Sequence, residues 1–309
     1  MRRPNNAFAV ERKSARPLKS YDGMIMIKTS YTTKHCCVDD NISLTLRLPE
    51  VMSLLDDTVT SLCHILALDL PNIRNIPVIF RELGNSEVVK DGAITVVPRE
   101  DSRCGLRDWF ELLFRHETTH WLIRRAWGQS CVMFWEGLPV YLADNVVRQR
   151  VFQFSYHDYC AALLGHQALL ALSTGLLPHQ YYGMSHDFRM TAEYGSFTGF
   201  LVERYGMSSI QKAYQMYIPP TPQHPILELS PLFQGIWGKD LQTLEVEWQT
   251  FLTDSAYVSG DAEALVAKRH YSKQVALKDR HCRFCYAPYG GGDICPVCHA
   301  SQNIEITIT

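Results

Sequence analysis

The 309-residue sequence has no long apolar run. The longest, residues 161–177, is interrupted by His166 and Gln167 and falls short of the ~20 residues that a membrane-spanning helix needs. A buried helix is expected there, and no membrane is expected as a partner. An excess of one charge is also missing. Against 32 Asp and Glu stand 30 Lys and Arg, a net charge of −2. That balance points to neither a polyanion nor an anionic membrane surface as the main partner. The sequence has no internal repeat and no low-complexity tract. It also lacks an apolar secretory core behind its basic first residues. Without such a signal, Cys36, Cys37, Cys63, Cys104, Cys131 and Cys160 read as thiols in a reducing compartment rather than a disulfide framework. A cytoplasmic location is the expectation. Residues 1–20 hold six basic side chains against Glu11 alone. They read as a flexible basic leader, with an organelle transit segment as the other reading.

What is present is an ordinary globular composition, 46% hydrophobic and 20% charged. Residues 24–29 and 42–48 alternate as strands, Pro49 opens a helix over 50–68, and 76–81 and 93–97 read as two further strands. From residue 106 the period changes to that of helices. They are expected over 106–127, 135–148, 156–172, 189–205, 208–217 and 241–253. The fold class expected is α+β, with a small N-terminal mixed sheet carrying a helix, then a mainly helical part. One domain is expected over 21–258, a linker or loose helix over 259–280, and a separate cysteine module over 281–309.

The chemistry starts at His116-Glu117-Thr118-Thr119-His120. Residues four apart lie on one helix face, so His116 and His120 can reach the same metal ion. Glu117, one residue on, is placed to hold a water at that metal and act as general base. The apolar residues Leu112, Leu113, Ile123 and Trp127 put the pair on the packed face. Two core histidines with hydrogen-bond partners are the alternative.

A catalytic zinc takes three protein ligands and keeps one position open. Fifteen residues separate His120 from Glu136, which lies in Trp135-Glu136-Gly137-Leu138-Pro139-Val140-Tyr141 and can supply the third. Together these motifs resemble the glutamate-zincin peptidases, closest to the families called peptidase MA-like. Those carry H-E-x-x-H and then E-G-L-A-x-Y on the next helix. This chain departs in a shorter spacing and in Pro139 where alanine is usual. A proline in the first turn is tolerable. The resemblance implies a zincin-type fold over residues 21–258 and a zinc-dependent metallopeptidase. It further implies that Tyr194, in Glu193-Tyr194-Gly195-Ser196-Phe197, stabilises the oxyanion. A buried tyrosine bonded to backbone is the other reading of Tyr194. By the same resemblance the strand at 93–97 is a sheet edge that aligns an extended substrate. Asp144, two turns past Glu136, could orient a ligand histidine from outside the ligand shell, or be a solvated helix charge.

Two C-x-x-C pairs, Cys282 with Cys285 and Cys295 with Cys298, stand nine residues apart. Each can place two thiolates on one tetrahedral metal, so a zinc ribbon is expected, closed by a strand through Ile304, Ile306 and Ile308. Its zinc would be structural, with a rubredoxin-like iron site as the alternative. Two zinc ions are thus expected in all, one catalytic and one structural. Lys268, Arg269, Lys273, Lys278 and Arg280 near the ribbon read as a solvated face, and nucleic acid is not expected as a partner. The ribbon could dock a protein partner. The activity expected is hydrolysis of a peptide bond in a peptide or protein. The alternatives are a same-fold hydrolase acting on a non-peptide amide and a degenerate zincin that binds through its ribbon.

Overall fold

The computed structural model describes residues 13–19, 25–84, 86–88, 92–98, 105–146, 151–176, 178–183, 188–220, 226–269 and 305–307. The chain divides into two compact units, residues 1–122 and 123–309, with the boundary inside helix α3 (Leu106–Ala126). Strands and then helices make the fold α+β, as expected.

The first unit holds a six-stranded mixed sheet. Its strands are β1 (Lys13–Lys19), β2 (Ile25–Thr32), β3 (Cys36–Asp40), β4 (Ile76–Phe80), β5 (Glu87–Val88) and β6 (Ile94–Val96), in the order β1-β2-β3-β4-β6-β5. The first three run antiparallel in turn. β4 lies parallel to both β3 and β6, and β5 closes antiparallel on β6. Along β3, Cys36, Val38 and Asp40 are buried and Cys37 is exposed, the period of two that a sheet imposes. Burial pushes the Cys36 thiol up to about 12. Helix α2 (Val51–Ile65) completes the crossover to β4 and buries Val51, Leu55, Val59 and Leu62. That is a stripe at helical spacing.

The strand expected over 42–48 is instead a turn and the short helix α1 (Leu44–Arg47). The cause is Asp40. Its carboxylate accepts the N–H groups of Ile42, Leu44 and Thr45 at 2.8–3.2 Å. Ser43, between them, turns left-handed at φ 55°. A buried carboxylate gathering successive N–H groups bends the chain before a strand can form. The strand lies just upstream, in β3.

In the second unit, α7 (Phe188–Tyr205) is the central helix. It packs along α4 (Val132–Val146), α5 (Tyr156–Gly165) and α8 (Met207–Met216). Its residues from Arg189 to Leu201, half-buried Thr191 apart, are buried, polar ones included. Arg189 donates to the Ala168 carbonyl and Glu193 accepts the Leu170 N–H, which fastens the irregular stretch after α5. That stretch was expected to continue the helix to 172. It stops at Gly165 because Gln167 turns left-handed at φ 54° and Ala168 N–H returns to the Leu163 carbonyl.

Two helices of this unit lie outside the sequence expectations, α6 (Pro178–Gly183) and α9 (Ser230–Trp237), while a third, α11 (Gly260–Arg269), falls in the segment read as a linker or loose helix. The last occupies part of the expected linker. It packs on α5 through Ala262 and Val266, with Glu263 meeting His166 at 2.8 Å. Helix α10 (Leu241–Leu252) forms as expected, capped by Asp240 on the Thr243 N–H. Strand β8 (Glu305–Thr307) falls where the ribbon's closing strand was expected and pairs parallel with β7 (Ile226–Glu228). Cys282, Cys285, Cys295 and Cys298 lie outside the described residues, as do residues 1–12 of the basic leader. Among the described residues no helix is long and apolar enough to cross a membrane.

Candidate metal centre

Helix α3 places acid at its start, Asp108, and base at its end, Arg124 and Arg125, each matched to the helix dipole. It ends at Gly128, whose φ of 97° only glycine adopts at little cost and whose N–H returns to the Ile123 carbonyl. Phe110 and Phe114 stack on its packed face, with Phe110 edge-on to Phe80 of β4. Trp121 donates its indole N–H to the Gly92 carbonyl at 2.7 Å, which pins α3 to the turn before β6.

One turn apart on this helix, His116 and His120 point their Nε2 atoms at each other, 3.1 Å apart. The rings meet nearly edge to face, at 75°. Glu117 and His120 are each 6% exposed. Beside them the Thr119 hydroxyl donates to the Arg115 carbonyl, so this polar side chain is satisfied within the helix.

Glu136 comes from α4. That helix starts at Val132, three residues earlier than expected, with Phe134 and Trp135 N–H both on the Cys131 carbonyl. Glu136 is therefore in the second turn rather than at the start, and 7% exposed. Pro139 lies inside the helix, not in its first turn. It has no N–H to give the Trp135 carbonyl one turn back. The glycine after Glu136 has a packing reason. A Cβ at Gly137 would collide with the Tyr194 carbonyl and Thr198 of α7, and one at Gly195 would collide with Val140. The two glycines let α4 and α7 approach closely, which fixes the height of Glu136.

His116, His120 and Glu136 are the one group of potential metal ligands among the described residues, each offering a ligand atom within 4.8 Å of the others. Two nitrogens bound tetrahedrally at ~2.0–2.1 Å would stand about 3.3 Å apart. The histidine pair is already at that spacing. Two imidazoles and a carboxylate are a donor set that suits zinc. These residues fit the ion.

A tyrosine that the sequence reading missed touches this group. Tyr182 of α6 donates its hydroxyl to Glu136 Oε1 at 2.8 Å. Tyr194, selected in the sequence, lies a layer deeper. It is fully buried, its hydroxyl donates to the Leu172 carbonyl at 3.3 Å, and its ring stacks on Tyr181. Burial pushes its phenol well above the ordinary value of 10, which keeps the donor hydrogen in place. This is the backbone-bonded tyrosine of the alternative reading. Asp144 accepts the Tyr156 N–H at 2.8 Å, at the start of α5. Strand β6 is not a sheet edge. It pairs with β4 on one side and β5 on the other, and Ser86 Oγ takes the next N–H, Val97. Residues 86–88 fold back over the face expected to receive a substrate strand.

Another buried histidine lies farther along the chain. His157 of α5 has Nδ1 2.8 Å from the Ser196 hydroxyl and Nε2 3.4 Å from a Glu203 carboxylate oxygen. Trp248 donates its indole N–H to the same serine at 3.0 Å. No protein-family model and no curated protein matches the sequence.

Proposed function

We propose that this chain is a zinc-dependent hydrolase of the glutamate-zincin type that cleaves a peptide bond. The supporting observation is the convergence of two histidine Nε2 atoms 3.1 Å apart with a glutamate oxygen within 4.8 Å. Glu117 follows directly in the same helix.

In this reading His116, His120 and Glu136 hold the zinc. When bound there, zinc polarises a scissile carbonyl and lowers the pKa of a water toward ~7. Glu117 takes the proton from the attacking water and delivers it to the departing amine nitrogen. It is 6% exposed, so bulk water has little access to it. Close contact of α4 and α7 at Gly137 holds Glu136 at its place. Cys282, Cys285, Cys295 and Cys298 are assigned a structural zinc on their spacing, because four thiolates leave no open position.

The test is Glu117→Gln, assayed on a mixed peptide library by mass spectrometry and on metal content. Zinc content should match the wild type while cleavage falls by roughly 10²–10⁴, the share of a general base. Cleavage at the wild-type rate would refute the assignment.

A further inference from the structure

We infer that Tyr182 is a positioning residue of the metal site, holding Glu136 so that a carboxylate oxygen faces the histidine pair. The inference rests on reading His116, His120 and Glu136 as metal ligands.

A carboxylate on a helix turns freely about its last bonds unless something engages one of its oxygens. Tyr182 engages Oε1 at 2.8 Å. A phenol donating to a carboxylate makes a charge-assisted hydrogen bond, stronger than a neutral one. The donor is itself well placed. On the same short helix, Tyr181 is buried, its hydroxyl 3.1 Å from Thr191 Oγ1 of α7. Its ring stacks on Tyr194 at 5.6 Å with only 9° between planes. Tyr182 then meets Tyr181 edge to face at 5.4 Å. Three tyrosines thus run from the interior of α7 to the ligand, each setting the next. The deepest, Tyr194, anchors the set, and only the outermost touches Glu136. Partners of metal ligands outside the coordination shell typically contribute 10–100-fold to metal affinity.

Tyr182→Phe removes one oxygen and keeps the ring contacts. Zinc affinity of the full chain would be measured by competition with a chromophoric chelator, for the zinc that His120→Ala abolishes. We expect a drop of about tenfold or more. The visible spectrum of the cobalt-substituted chain should change as well, and the melting temperature of the metal-free chain should not. Tyr194→Phe is the structural control, expected to lower that melting temperature and leave zinc affinity unchanged. An affinity for Tyr182→Phe equal to wild type overturns the inference. So does a loss matched by an equal fall in metal-free melting temperature. If His120→Ala removes no zinc from the chain, the metal reading itself fails and this inference falls with it.

Discussion

Among the described residues, two of the clusters that set a buried histidine beside an acid are built differently. Around His157 each ring nitrogen meets a group of complementary kind. Trp248 donates to Ser196, whose hydroxyl can donate its own hydrogen to Nδ1, and in that tautomer Nε2–H points to Glu203. The chain of donors and acceptors closes without help. The ring also packs against Phe251 and Tyr257, both 5.1 Å away. At His116 and His120, like atoms face each other, with a carboxylate oxygen close by. A shared cation satisfies two lone pairs and a negative charge at once. A hydrogen bond between the rings satisfies only one of the lone pairs. Both clusters pair histidine with glutamate, although Glu203 is exposed and Glu136 is buried. Direction is what separates the structural histidine from the pair proposed as ligands.

The largest effects should come from breaking this contrast on one side only. His120→Ala should remove one zinc and all hydrolysis, whereas His157→Phe should keep the zinc and the activity of the folded fraction. Metal analysis and peptide cleavage on both variants decide it. Next in size is Gly137→Ala. Its methyl would meet the Tyr194 carbonyl and Thr198, and overpacking of this kind costs about 1–3 kcal/mol. Denaturant unfolding should show that loss, and chelator competition should show weaker zinc binding because α4 must move. Ser196→Ala should cost about 1–3 kcal/mol by leaving buried polar groups of Trp248 and His157 without their partner, and zinc affinity should hold.

The smallest effect expected is a pH dependence away from both clusters. Burial raises Glu245 above the ordinary carboxylate value, while the Leu172 N–H it accepts lowers it less. A raised carboxyl means that the folded chain binds the proton more tightly than the unfolded one. Stability therefore falls as pH rises through the window between the two values, and the penalty is fully present above it. Glu245→Gln keeps an acceptor for Leu172. It should be more stable than wild type at neutral pH, with the advantage fading in acid. Denaturation midpoints at the two pH values check this.

The residues proposed as ligands were legible because helix periodicity alone places His116 over His120, and because Glu136 follows at a distance a short loop can close. The helix of α2 and the strands β4 and β6 were legible for the same kind of reason, a regular apolar period. What escaped depends on contacts distant in sequence or on backbone turns. Asp40 converts an alternating segment into α1 by collecting N–H groups. Gln167 ends α5 in a conformation that glycine usually takes. Tyr182 precedes a glycine on a six-residue helix with no apolar period to mark it, and its importance comes entirely from what it touches. Tyr194 had the stronger motif, yet the fold turns its hydroxyl to a backbone carbonyl.

Zinc counting tests the central claim most directly. The wild-type chain, a His116→Ala/His120→Ala variant and a variant with serine at 282, 285, 295 and 298 would each be purified and analysed for metal per chain. The account predicts two zinc ions in the wild type and one in each variant. One zinc in the wild type, kept by the histidine variant and lost with the four cysteines, would contradict it.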